Sequence, residues 1–270
     1  MIDPFRVRCH HTRMPIIDAI SAFEDNYIWL IQDEKRRFAT IVDPGDEDPV
    51  IDHLESHNIQ PIAILITHHH GDHTGGVTEL VSRYQIPVYG PAGERIPALT
   101  QPLSEGDNVI LEQIDTTLNV MDVPGHTRGH IAYYGHDALF CGDTLFTGGC
   151  GRLFEGTFEQ MHRALSRFAA LPEETRVYCA HEYTQANLKF ALVAEPENSE
   201  LQQRVAETDR LRSDDLATVP STIGLEKRTN PFLRSDVDTV IAAAEQHAGH
   251  SLQSGAEVFA TVRQWKDELD

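Results

Sequence analysis

Along the first two-thirds of the chain, short apolar runs alternate with turn residues, and most runs are too short for a helix. "IIDAISAF" (16–23), "NYIWLIQD" (26–33) and "FATIVDPGD" (38–46) predict three strands separated by Asp, Asn and Gly turns. "PVIDHLESHN" (49–58) opens on Pro and closes on Asn, which predicts a helix. The continuous run "IAILIT" (62–67), bounded by Pro61 and a group of histidines, predicts a buried strand. A helix over 75–84 and a short strand over 87–90 follow. Strands near 108–113, 117–123, 131–134, 138–142 and 176–179, with a helix over 157–170, complete this part. After His181 the period changes to a helical one, over 184–195, 199–214, 236–247 and 255–269, punctuated by Pro196, Pro220 and Pro231. The pattern predicts a mixed α/β (α+β) domain over residues 14–181 carrying a smaller α-helical domain over 182–270. Residues 1–13 have some basic character and no apolar stretch of the secretory kind, and read as an extension outside the fold.

Composition narrows the class. The 270 residues are 40% hydrophobic and 24% charged, enough to bury a core, and no run approaches the roughly 20 apolar residues of a membrane span. Cys9, Cys141, Cys150 and Cys179 form no Cys-x-x-Cys pair, which fits reduced thiols in a cytoplasmic protein. A net charge of −20 argues against a nucleic-acid partner, whose phosphates attract Lys and Arg. An anionic substrate would need a local basic cluster against that field.

The chemistry concentrates in "ILITHHHGDHTGG" (64–76), where the six residues from His68 to His73 include four histidines and an aspartate. A strand that stops and delivers side chains into a tight loop suits a metal site. His68 and His70, two apart in extended chain, point to one side, while Asp72 and His73 follow as the chain turns toward the next helix. Each pair needs partners from elsewhere. His126 in "MDVPGHTRGH", Asp143 in "ALFCGDTLF" and His181 in "RVYCAHEYT" all come just after predicted strands. With Asp143 bridging, His68, His70 and His126 complete one ion, and Asp72, His73 and His181 a second. All donors are N or O, which suits zinc, iron or manganese without choosing among them; zinc is the expected ion. His69 alternates away and His130 reads as a supporting or core histidine, so neither joins the ligand set. Cys141 and Cys150 are expected to pack near the site, and His10, His11, His247 and His250 to be solvated.

These motifs, "THHHGDHTGG", "PGHTRGH", "CGDTLF" and "AHEYT" in that order, resemble the metallo-β-lactamase superfamily. "GGCGRLFEGT" (148–157), "HEYTQANLKFA" (181–191), "RTNPFLR" (228–234) and the terminal "RQWKDEL" (263–269) narrow the resemblance to its glyoxalase II branch, the hydroxyacylglutathione hydrolases, of bacterial type. The resemblance runs from about Ile16 to the C-terminus. It implies an αββα sandwich with a helical C-terminal domain, two divalent ions held as above, and catalytic roles for Asp72 and Asp143. It also implies a glutathione site at Arg152, Phe154, Tyr183, Arg263 and Lys266. Eukaryotic members carry Lys and Tyr where this chain has Arg152 and Phe154. Arg can still grip a carboxylate, but Phe154 donates no hydrogen bond. The implied reaction is hydrolysis of S-D-lactoylglutathione to D-lactate and glutathione by a hydroxide held between the ions, in a monomer acting on a small molecule. A lactonase, a nuclease and a mononuclear-iron persulfide dioxygenase are the alternatives within the superfamily.

Overall fold

The computed structural model describes residues 15–269, so the extension expected over 1–13 lies outside the described residues, as do His10 and His11. Two six-stranded sheets form the centre of the molecule. The first takes β1 (Ile16–Ala22), β2 (Asn26–Gln32), β3 (Phe38–Val42), β4 (Gln60–Leu65), β5 (Val88–Pro91) and β6 (Gln101–Leu103) in sequence order. Its connections carry α1 (Asp48–His57), the one-turn α2 (Gly71–Thr74) and α3 (Val77–Tyr84). The rest of the chain supplies β7 (Asn108–Leu111), β8 (Thr116–Asp122), β9 (Ile131–Gly135), β10 (Ala138–Gly142), a two-stranded ribbon of β11 (Leu145–Phe146) and β12 (Gly149–Cys150), α4 (Phe158–Ala169) and β13 (Arg176–Cys179). Then come α5 (Thr184–Ala194), α6 (Ser199–Ser213), β14 (Ser221–Thr222), α7 (Ile223–Thr229), α8 (Asp238–Ala248) and α9 (Gly255–Leu269). The second sheet runs β14-β13-β10-β9-β8-β7.

The period of two along β2 sorts its side chains between two cores. Tyr27, Trp29 and Ile31 pack with Val120, Ile131, Tyr133 and Phe140 of the second sheet. Ile28 and Leu30 pack instead with Val50 and Leu54 of α1 and Val77 and Leu80 of α3. On the other flank, Met161, Ala164, Leu165 and Phe168 of α4 join the core of the second sheet. The layers are therefore helix, sheet, sheet, helix, the expected αββα sandwich. α4 starts on a capping box in which Thr157 Oγ1 accepts the Gln160 N–H and the Gln160 side chain accepts the Thr157 N–H.

Three features differ from the sequence expectation. The helix expected over 75–84 forms as α3 from Val77, and the separate turn α2 precedes it; Gly75 and Gly76 between them lie against the backbone of the 45–47 turn, where a Cβ would meet Gly45 O at 2.4 Å and Glu47 N at 2.6 Å. The contact sets α2, with Asp72 and His73, apart from α3. Second, β6, β14, the ribbon and α7 were not anticipated; the strands among them have two or three residues, too few to show a period. Third, the C-terminal segment is not self-contained. β14 pairs antiparallel with β13, and Phe190, Phe232, Val240 and Phe259 belong to the same continuous core as Val177 and Phe140.

Candidate metal centre and adjoining cavity

Each donor of the cluster follows a strand end. Past β4, Thr67 anchors the loop by donating its N–H and hydroxyl to the two oxygens of buried Asp43, at 2.8 and 2.7 Å. The Nε2 of His68 then lies 3.1 Å from Nδ1 of His70. The single turn of α2 presents Asp72 and His73. Beyond β8, His126 brings its Nε2 to 3.0 Å from the same His70 nitrogen. β10 ends at Gly142 with φ at 47°, where a Cβ would stand 2.4 Å from Thr67 Oγ1, and this turn delivers Asp143. His181 follows β13 and makes an isolated bridge to Asn26 at the start of β2.

Asp143 is central. Its Oδ1 is 3.4 Å from His73 Nε2, and its Oδ2 is 3.5 Å from His126 Nε2 and 3.4 Å from His181 Nε2. Asp72 Oδ2 lies 3.5 Å from His73 Nε2 and 3.4 Å from His181 Nε2. Three triads emerge with donor atoms mutually within 4.8 Å: His68 with His70 and His126, His68 with His73 and Asp143, and Asp72 with His73 and His181. Tetrahedral coordination at metal–ligand bonds of about 2.0–2.1 Å puts donors about 3.3 Å apart, the spacing seen here.

The chemistry of these atoms also fits a cation. The buried ring nitrogens of His73 and Oδ1 of Asp143 meet only charged neighbours in poor hydrogen-bond geometry, His73 Nδ1 facing Asp43 Oδ2 at 3.2 Å and Nε2 facing Asp143 Oδ1 at 3.4 Å. Burial pushes His68 well below the usual histidine range, and lowers His70 and His126 too, which leaves neutral rings with a lone pair to give. Burial opposes protonation of His73 as well, but the Asp143 and Asp43 carboxylates override it and raise its pKa well above the ordinary value. For Asp143, burial opposes ionisation, while His73 and His181 hold its pKa well below the usual carboxylate range. A proton on His73 thus occupies the field that a divalent ion would occupy.

A surrounding layer orients the donors. His181 Nδ1 is 2.8 Å from Asp25 Oδ1, His126 Nδ1 is 2.7 Å from the Arg152 carbonyl, and Asn26 Nδ2 donates to Asp72 Oδ2 at 3.2 Å. His130 is fully buried; its Nε2 accepts the Asp143 N–H at 3.2 Å and its Nδ1 faces the Ile131 carbonyl at 3.0 Å. It supports Asp143 from behind. His69 points away from the cluster, between Glu94 Oε2 at 3.0 Å and Glu155 Oε1 at 3.4 Å. Asp25, Asn26 and Asp43 were missed in the sequence, although "IVDPGD" places Asp43 after a strand just as "FCGD" places Asp143. Burial raises the thiols of Cys141, Cys150 and Cys179, the latter two to about 12, as suits packing groups. His247 is exposed, as expected, and also stacks on Trp265 at 4.4 Å.

The cluster opens into a cavity of about 460 Å³. His70, Asp72, His126, Asp143 and His181 form its floor, and Phe146, Arg152, Phe154 and Tyr183 its wall. The Tyr183 ring stacks on His181 at 4.7 Å, and Phe154 meets His70 and His126 edge-on at 5.6 and 5.2 Å. Arg152 donates through Nε to Asp267 Oδ1 at 3.1 Å. Arg263 and Lys266 are on α9 as expected, but they do not line the cavity and form no solvated face: they are 2% and 7% exposed. Arg263 donates to the Gly151 carbonyl at 3.2 Å and to the same Asp267 oxygen at 3.0 Å, beneath the segment that carries Arg152.

Residues 23–181 match the family model described as Metallo-beta-lactamase superfamily, and residues 182–269 that described as Hydroxyacylglutathione hydrolase C-terminus. A hydroxyacylglutathione hydrolase of Nitrosomonas eutropha is 49% identical over 269 residues, covering 100% of both chains. That of Alkalilimnicola ehrlichii is 53% identical over 255 residues, covering 94% of this chain and 100% of its own. The chain belongs to the hydroxyacylglutathione hydrolase family. As a member of that family it is a thioester hydrolase of the metallo-β-lactamase fold with a divalent metal centre in its His/Asp cluster. Among solved structures, that titled TTHA1623 in a di-iron-bound form is similar at a TM-score of 0.57 and 27% identity, over 81% of this hydroxyacylglutathione hydrolase family member and 100% of that chain.

Proposed function

We propose that this chain hydrolyses S-2-hydroxyacylglutathiones, S-D-lactoylglutathione above all, to the hydroxy acid and glutathione, the second step of methylglyoxal detoxification. One observation carries the reading: the donor cluster opens directly onto a wall that offers a guanidinium and aromatic rings, suited to an anionic thioester. His68, His70 and His126 would hold one ion, and Asp72, His73 and His181 the other, with Asp143 between them; zinc is the expected metal, with iron or manganese as alternatives. The di-iron form of TTHA1623 supports a two-ion arrangement. Bound ions of this kind supply a water acidified toward neutral pH and a Lewis acid for the carbonyl oxygen.

The protein's own groups do the rest. Asp72, with 41% of its side chain exposed toward the cavity side of the cluster, takes the proton of the attacking water, while Asn26 holds its carboxylate in place. Asp143, buried between His73 and His181, stays ionised and orients the nucleophile. Arg152 and Tyr183 bind the peptide part of the substrate, and Phe154 gives it an apolar face. Arg263 and Lys266 act from beneath, adding positive charge under Gly151 and Arg152. In this reading the protein is a cytoplasmic monomer with a small-molecule substrate. Its charge of −20 disfavours nucleic acid, and no helix among the described residues is long and apolar enough to cross a membrane.

The test is loss of S-D-lactoylglutathione absorbance, with metal content measured on the same sample. Turnover with about two metals per chain is the expected result. Metal without turnover on any glutathione thioester would move the substrate to a lactone or a phosphodiester. One iron with oxygen uptake on a persulfide would replace the hydrolase reading altogether.

A further inference from the structure

The ribbon of β11 and β12 has only two residues in each strand, far too few to hold itself in water. Its residues are nevertheless buried, and it shapes the cavity: β11 ends in Phe146, and β12 leads through Gly151 into Arg152 and Phe154. The groups that satisfy its backbone come from the C-terminal helices. Glu226 of α7, fully buried, accepts the Gly148 N–H through Oε2 at 2.9 Å. Asn230, just past α7 and fully buried, donates through Nδ2 to the Gly149 carbonyl at 2.9 Å, the Phe146 carbonyl at 3.3 Å and Glu226 Oε2 at 2.9 Å. Asn187 of α5 donates to the Thr147 carbonyl at 3.2 Å. The other Glu226 oxygen, Oε1, pairs with buried Arg204 of α6 and accepts the Ser221 hydroxyl.

We propose that Glu226, together with Asn230, is a positioning residue for the substrate wall, holding the ribbon so that Phe146, Arg152 and Phe154 meet the acyl-glutathione. This rests on the thioester reading above. The division of labour within one carboxylate is the basis for it: Arg204 neutralises one oxygen, which leaves the other free to accept from the ribbon backbone. Three of the donors at the cavity floor, His73, His181 and Asp143, are braced by a different set, Asp43, Asp25 and His130, and His126 alone leans on the wall, through the Arg152 carbonyl. Metal binding and wall geometry are therefore largely separable. A buried ion pair is by itself a weak source of stability, so a role in folding alone does not account for an acceptor aimed at an active-site turn.

Glu226→Gln tests this with little change of shape. An amide has one acceptor oxygen where the carboxylate has two. With that oxygen toward Arg204, its NH₂ confronts the Gly148 N–H and the Asn230 amide; flipped, it confronts Arg204. Asn230→Ser is the second variant: it removes the donor to Phe146 and Gly149 but leaves the Glu226–Arg204 pair and retains an acceptor for the Phe232 N–H. Both variants should keep the metal content of the unaltered protein and kcat within about threefold, and raise KM about tenfold. Amide exchange over 145–152 should quicken in both. Unchanged KM and exchange in soluble, metal-loaded variants overturns the proposal, as does a joint fall of metal content and kcat at constant KM. If Glu226→Gln does not fold, Asn230→Ser decides; if neither folds, the network is a folding element and the proposal fails. Should the unaltered protein turn over no glutathione thioester, it is the functional reading that fails, and exchange at Gly148 still tests the positioning.

Discussion

At the floor of the cavity three donors are braced from behind, His73 against Asp43, His181 against Asp25, Asp143 against His130. The wall is different: Phe154 is 63% exposed, Tyr183 is 37% exposed, and Arg152 reaches across to Asp267 of another element. The floor is assembled from strand ends whose positions are fixed by a sheet ladder. The wall hangs on a short ribbon, a loop and the first residues after His181. Catalytic geometry needs tolerances of fractions of an ångström, which buried and mutually braced groups provide. Recognition of a flexible tripeptide tolerates more movement. The contrast predicts that floor mutations act on metal and kcat, and wall mutations on KM.

The strongest way to break that contrast is Asp143→Ala, or His70→Ala. Either should lower kcat by about a thousandfold or more and deplete metal, seen by elemental analysis of the same preparation; near-normal turnover would sink the two-ion scheme. Next, dialysis against a chelator should abolish activity and lower Tm by about 5–10 °C, read by calorimetry, with both restored by zinc, iron or manganese. A melting curve indifferent to metal would mean that the cluster holds none. Asp43→Asn removes a carboxylate oxygen beside His73 and Thr67, and should weaken metal affinity about 10- to 100-fold in competition with a chelating dye. Arg152→Ala should raise KM about 5- to 10-fold with metal content intact; a loss of metal instead would erase the distinction between wall and floor. The smallest effect, about two- to threefold lower KM, is expected for Phe154→Tyr, which adds a hydroxyl at the exposed rim.

The floor was legible in the sequence because its rule is local. A ligand-grade residue just after a predicted strand recurs at His68, His126, Asp143 and His181, and the structure brings all four together. The same rule, applied to "IVDPGD", would have found Asp43. The sandwich was legible for a similar reason, since its longer strands and helices carry their own period. The wall was less so. Arg263 and Lys266 were expected at the glutathione site, but their burial beneath the segment that follows the ribbon is a tertiary fact that spacing on one helix does not carry. The ribbon and β14 escaped because two-residue strands have no period, and because the ribbon's hydrogen-bond partners, Glu226 and Asn230, are about 80 residues away in the chain.

The pairing of β14 with β13 reaches beyond this site. A strand contributed from residues 221–222 closes the edge of a sheet begun a hundred residues earlier, and the side chains behind it supply the ribbon's missing donors and acceptors. A chain cut after His181 would leave that edge open, and an open edge is a template for association. The helices therefore behave less like an accessory than like a keystone, covering a strand edge and completing a turn that the strands alone leave open.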